Sequence, residues 1–268
     1  MAYIKESKVL DLQGPILHDL FQVKRYILNQ VGISMKFRRS TPDFCLLSNE
    51  AKKYKIDIEE MALRVCKVQV NPAFITAHNA MLSSTNAKYP YTKTEMASMA
   101  KDTLNFSLNQ AFQDSCPNRI IVTFVCSEAT SGGSLTKNPR NFQNYNLSQI
   151  SVSVDGAPVN GEPMQISYDS TDGYTITRLL TNLLESTKKW LNNEGMGLDR
   201  DDIVGGCALY AFDTQPAVDG NEYLSLKKSK GTSESMLISI RLYHTPSTAS
   251  SWPRKKDISK FLRAATSS

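Results

Sequence analysis

The 268-residue chain carries 31 Lys and Arg against 26 Asp and Glu, a net charge of +5, and 41% of its residues are hydrophobic. That length fits one large all-β domain or two small ones, able to bury roughly 70–75% of the unfolded surface, and the slightly low apolar share calls for long polar loops. The mild, interspersed charge does not mark a nucleic-acid binder, and no stretch reaches the roughly 18 consecutive apolar residues of a membrane span.

The opening MAYIKESKVLDLQG lacks the apolar core of a secretory signal. Residues 8–12 (KVLDL) alternate as a first strand, Gly14-Pro15 breaks it, and residues 16–28 read as a loop with a short helical turn. Residues 33–38 (ISMKFR) alternate, with Ile33, Met35 and Phe37 on one side. Residues 43–47 predict a short strand entered by Pro42. The longest strand signal covers residues 56–70, apolar on much of both faces, which places it inside a sandwich or against another subunit. Asn71-Pro72 stops it, and residues 73–87 have helix formers with Phe74, Ala77 and Met81 along one side. Residues 88–101 fit strand and helix equally.

Residues 103–108 (TLNFSL) alternate, and residues 119–127 (RIIVTFVCS) form an uninterrupted β-branched and aromatic run, the signature of a central strand. Gly132-Gly133 then opens a loop. The block KNPRNFQNYNLSQISVSVDGAPV, residues 137–159, has two halves. Its front, rich in Asn, Pro and aromatic residues, predicts an ordered loop offering Asn138, Pro139, Arg140, Phe142, Tyr145 and Asn146 for contact. Its back alternates through Ile150, Val152 and Val154 and ends in the hairpin turn Asp155-Gly156. None of these side chains transfers protons or binds metal, so the chemistry of the block is contact.

After a polar stretch at 157–172, residues 174–191 change period: Ile176, Leu179, Leu180, Leu183, Leu184 and Leu191 fall at helical steps. Residues 207–212 and 222–226 predict strands, and residues 236–243 (MLISIRLY) close the sheet in a register the pattern does not fix. Residues 246–268 read as a basic, flexible tail. There Trp252, Arg254, Lys255 and Lys256 stand beside a short amphipathic stretch, as a solvated terminus or as an arm toward a neighbouring subunit or nucleic acid.

Catalytic signals are absent. None of His18, His78 and His244 has an acidic residue two positions on, as a jelly-roll oxygenase requires. No G-x-S-x-G and no phosphate-cradling glycine loop occurs. Asp199, Asp201 and Asp202 have Arg200 among them and fit a solvated loop or helix cap better than a calcium loop. Cys45, Cys66, Cys126 and Cys207 lie in strand-like runs and are expected as reduced core residues of a protein assembled inside a cell; Cys116, beside Pro117, is expected to be exposed. No catalytic residue, cofactor or metal is implied.

Lys137, Asn138, Pro139, Phe142, Gln143, Tyr145 and Asn146, followed by Val154, Asp155 and Gly156, resemble the second half of the double jelly-roll major capsid protein (hexon) of the Polinton/Maverick and adintovirus lineage. In that family a KNPF-x-FQHFN-like loop precedes an alternating strand ending in VDG. Residues 19–44, 63–89 and 206–216 agree in type and order, so the likeness spans residues 7–243. It implies an antiparallel eight-stranded jelly-roll sandwich over residues 1–245, with one or two helices in long loop insertions. It also implies a virion protein that assembles with copies of itself into trimers or rings. The family protein is about twice this length. The chain is therefore a part of a longer protein, a half that pairs with a second jelly-roll chain, or a roll that assembles alone. A jelly-roll module recognising a glycan or host receptor is the alternative reading.

Overall fold

A computed structural model describes residues 8–23, 25–29, 31–49, 54–89, 91–100, 105–109, 116–169, 174–190, 196–214, 236–242 and 258–267. In chain order, a 3-10 turn at Asp19–Gln22 is followed by the helices α1 (Pro42–Cys45) and α2 (Pro72–Leu82) and the strands β1 (Thr92–Ala100), β2 (Asn105–Asn109) and β3 (Arg119–Cys126). Next come α3 (Ser127–Ser131), β4 (Leu147–Val154), β5 (Ala157–Pro158) and β6 (Met164–Gln165). The chain continues through α4 (Tyr174–Ser186), α5 (Arg200–Gly205), β7 (Tyr210–Asp213), β8 (Met236–Leu242) and β9 (Ile258–Ser267). The protein is β-rich with few helices.

One sheet has the order β1-β9-β3-β7 and the other β2-β8-β4-β5, with β6 also on β4. All named ladders are antiparallel. The pairing is nested: β1 with β9, β2 with β8, β3 with β7, and β4 with β5 and β6. Two further ladders, β3 with β9 and β4 with β8, join the nested pairs into sheets. The two sheets share one core, as the inward residues show. Ile120, Val122 and Phe124 of β3 and Tyr210 and Phe212 of β7 cluster with Ile150 and Val152 of β4, Met164 of β6 and Ile238 of β8. Two layers joined by a common apolar cluster are the arrangement of a β-sandwich.

The local causes are plain. β3 is β-branched at five of its eight positions, Ile120, Ile121, Val122, Thr123 and Val125, so the pleated state costs its side chains little. In β4 the alternation of Ile150 and Val152 with Ser151 and Ser153 turns the apolar set inward. Asp155 (φ 51°) and Gly156 (φ 82°) then form the two-residue turn whose positive φ values suit a right-twisted hairpin, with Val154 opposite Ala157. In α4, Ile176, Leu179 and Leu183 are buried on one stripe beside β7, each worth about 1.5–3 kcal/mol of burial.

Several sequence expectations are corrected. Residues 8–12, 33–38 and 56–70 form no strand, and residues 43–47 are mostly the helical turn α1. No described residue between 8 and 89 is buried. The stripe of α2 that holds Phe74 and Met81 faces outward, those side chains being exposed. Alternation makes a strand only where a neighbour supplies the ladder, and no strand among the described residues pairs with these segments. The ambiguous residues 88–101 resolve into β1. The terminus expected to be mobile supplies β9, which sits between β1 and β3 with Ala97 and Val122 both opposite Leu262. The strand expected at 222–226 lies outside the described residues.

A pair of tyrosines bridges the α4-side loop and the core: the Tyr168 and Tyr210 hydroxyls lie 2.5 Å apart, and Tyr210 stacks edge-on against Phe124. Burial raises both phenol pKa values above the ordinary 10.0. The unfolded chain therefore loses phenolic protons above about pH 10 while the folded chain keeps them, and stability falls as pH rises through that range. Tyr168→Phe is expected to cost about 1 kcal/mol at neutral pH and to flatten the alkaline loss, measured as urea midpoints between pH 8 and 11.

Candidate assembly surface

The loop before β4 is built by backbone bonds that asparagine side chains complete. Asn138 Oδ1 accepts from the Arg140 amide at 2.9 Å, and Asn144 Oδ1 accepts from the Asn146 amide at 2.9 Å. Both are Asx turns, the local competition with regular structure in which asparagine excels. The Phe142 amide donates to the Gly206 carbonyl at 2.7 Å, and the Ala208 amide donates to the Phe142 carbonyl at 2.8 Å. Phe142 thus bridges to Cys207, tying the loop to the segment between α5 and β7. Asn144 Nδ2 reaches the Val204 carbonyl at 3.4 Å. Tyr145 and Asn146 have left-handed backbone (φ 45° and 49°), which reverses the chain into β4.

This geometry sorts the predicted contact residues. Tyr145 folds back, edge-on to Phe124 at 6.4 Å, and packs on the core, and Phe142 and Pro139 are half-buried. Asn138, Arg140, Gln143 and Asn146 are exposed. The Arg140 guanidinium has no partner among the described residues. Lys137, by contrast, donates to Glu128 Oε2 at 2.5 Å, and that hydrogen bond raises its pKa. The loop therefore presents amides and the Arg140 guanidinium on a base held by backbone hydrogen bonds, with the Tyr145 ring turned onto the core. Trp252, Arg254, Lys255 and Lys256 lie outside the described residues.

Two neighbouring features were only partly readable. Asp199 and Asp202 form a reciprocal capping box at the start of α5, with Asp199 Oδ1 accepting from the Asp202 amide at 2.9 Å, as the cap reading of the acidic cluster expects. Gly206 (φ 134°) is the residue that sequence reasoning missed: a Cβ there would collide with the Asn141 side chain. The cysteines are also corrected. All five are free, but Cys45 and Cys66 are exposed and Cys116, Cys126 and Cys207 half-buried. The first two lie in the segments that stay outside the sandwich. Among the described residues no three His, Cys, Asp or Glu side chains converge as a metal site, and no helix is long and apolar enough to cross a membrane.

Gly206→Ala is expected to lower stability by about 1–3 kcal/mol through left-handed backbone strain and loss of the loop closure. Arg140→Ala is expected to stay within about 0.5 kcal/mol of the parent. Urea titration of both variants checks the pair.

No family model matches the chain. An uncharacterized Caenorhabditis elegans protein, F54H12.2, is 20% identical over 222 residues, a match covering 80% of this chain and 52% of that protein. The chain thus spans about half the length of the curated relative it matches. Among solved structures it has a weak likeness to PBCV-1 VP54, as fitted into a cryo-EM reconstruction of the virophage Sputnik. The identity is 10% and the TM-score 0.32, over 72% of this chain and 51% of that one.

Proposed function

We propose that the chain is a viral structural protein of the major-capsid type, a jelly roll that assembles through its loops and sheet faces into capsomers of an icosahedral shell. The observation that carries this reading is the nested strand order. First pairs with last, second with second-to-last, and so inward, which is one long antiparallel hairpin. Wrapped until β9 meets β3 and β8 meets β4, such a hairpin gives two four-membered rows once β5 and β6 count as one interrupted strand. This order supports reading the sandwich as a jelly roll of two interlocked Greek keys. The ordered sequence blocks around Asn138–Asn146 and Asp155-Gly156 support placing it with the Polinton/Maverick and adintovirus hexons.

The mechanism is repeated interface burial under symmetry, without a cofactor and without catalysis. Asn138, Arg140, Gln143 and Asn146 give the loop direction and hydrogen-bonding specificity. The exposed apolar side chains of residues 8–82 supply area that one chain does not cover. Partners are further copies in a trimer or ring, and a second jelly-roll chain if the half-length match reflects a divided double roll. The virion is the place of action, and the basic cluster Arg254–Lys256 is the group suited to genome contact.

Mass photometry across concentration and salt, with negative-stain imaging of the large species, tests the reading. Trimers, rings or shells are expected, and Arg140→Ala is expected to weaken them several-fold while leaving the melting curve unchanged. A chain that stays monomeric at every concentration and captures a glycan instead would overturn the proposal in favour of a binding module.

A further inference from the structure

Residues 54–70, YKIDIEEMALRVCKVQV, have the composition of a strand yet carry no ladder and no helix. Their apolar side chains stand in solvent: Met61 is 69% exposed, Val65 64% and Ile58 59%. A β-prone, two-faced apolar segment with unladdered backbone is a template for another strand. What that strand should be follows from the charges. The acidic residues Asp57, Glu59 and Glu60 all precede the basic residues Arg64 and Lys67. A parallel, in-register copy would set like against like. An antiparallel copy sets the acidic end of one against the basic end of the other.

We infer that residues 56–68 pair antiparallel with the same residues of a second copy of this chain, about a two-fold axis at Ala62. In that register Glu60 faces the partner's Arg64 and Asp57 faces the partner's Lys67, giving four ion pairs by symmetry. Ile56 faces Val68, Ile58 faces Cys66 and Met61 faces Leu63, so apolar meets apolar, and no two like charges oppose. Moving the axis back by one residue loses both kinds of ion pair and opposes Lys55 to Lys67; moving it forward by one residue leaves only Glu59 opposite Lys67. Register is thus specified by charge as well as by the period-two alternation of faces.

One contact within the chain selects the edge. Arg39 Nη1 donates to the Ile56 carbonyl at 2.5 Å. Alternate residues of a strand point their N–H and C=O to opposite edges, so the odd-numbered residues make the hydrogen bonds to the partner. The even-numbered pairs, including Glu60 with Arg64, then occupy the closer non-hydrogen-bonded positions. The exposed ion pair of Lys55 Nζ with Asp57 Oδ1, 2.6 Å, stays compatible with Lys67 joining the same carboxylate. No residue of the segment is in the core, so substitutions there leave the sandwich intact. The inference goes beyond the capsid reading and does not depend on it: two chains can pair in this way whether or not they build a shell.

Glu60→Arg and Arg64→Glu, made singly, each turn two attractive pairs repulsive and are expected to weaken self-association about tenfold in sedimentation equilibrium. The double variant restores complementarity and is expected to return the parent affinity. In a Cys45→Ser, Cys66→Ser background, Ala62→Cys is expected to form an intermolecular disulfide under mild oxidation. Leu63→Cys, whose own copy lies diagonally about 7–8 Å away, is expected to form it far more slowly. Circular dichroism of each variant verifies the fold. Single and double variants of equal affinity, or cross-linking through Leu63→Cys in preference to Ala62→Cys, would overturn the two-fold pairing, as would a parent chain that shows no self-association. Loss of shells with the charge-rescued dimer intact would instead fault the capsid reading alone.

Discussion

The structure depends on a strand from the end of the chain entering the middle of a sheet. β9 pairs with β1 along nine positions and with β3 along eight. Without it, β1 has no ladder partner among the described strands and the first sheet is left with β3 and the four-residue β7. The contacts are also long in sequence: Thr92 meets Ser267 and Arg119 meets Ala265. Their loop-closure entropy is met only when both layers close on the shared core, so the sandwich is a late, cooperative event. The ladders β3 with β7 and β4 with β8 bring together some of the most completely buried residues, Ile120, Tyr210, Ile150 and Ile238 among them, and are the natural base for that closure.

What the sequence disclosed and what it hid divide along the same line. β3, β4, the Asp155-Gly156 turn, α4 and the Asp199 cap were legible because each is specified within a few residues, by β-branching, alternation, positive-φ turn formers, helical spacing or a capping side chain. β9 was not, because its apolar residues Ile258, Phe261 and Leu262 fall at helix-like steps in a basic neighbourhood. Its strand state comes from two partners far away in the chain. The reverse error occurred at residues 56–70, where alternation described the side chains of a strand but could not say that no ladder among the described strands would receive them. The expectation that Cys45 and Cys66 are core residues failed with it, since a run of apolar residues is buried only if something covers it.

At the candidate surface the same logic separates role from composition. Phe142 and Tyr145 look like contact residues in the sequence, yet Phe142 is half-buried with its backbone bridged to Cys207, and the Tyr145 ring packs edge-on against Phe124 of the core. What remains outward is polar and directional. The apolar area available for association lies instead in the N-terminal arm, which is held to the sandwich at a few points. The Asp19 carboxylate accepts from the Thr94 amide and hydroxyl at 2.8 and 3.1 Å and the Ser48 amide donates to the Leu135 carbonyl at 2.9 Å, while Arg25 Nη1 closes a bond within the arm, donating to the Lys88 carbonyl at 3.1 Å. Under the proposed assembly reading, this arm and the polar loops are the surfaces that neighbouring copies would cover.

Hydrogen–deuterium exchange of the whole chain, followed residue by residue at the C-terminus, tests the central claim most directly. If β9 closes the first sheet, the amides of Ile258–Ser267 exchange as slowly as those of β3 and lose protection together with them as urea is added. Exchange of those ten residues at the rate of an unstructured terminus, with β3 still protected, would contradict the nested pairing on which the fold and the assembly reading both rest.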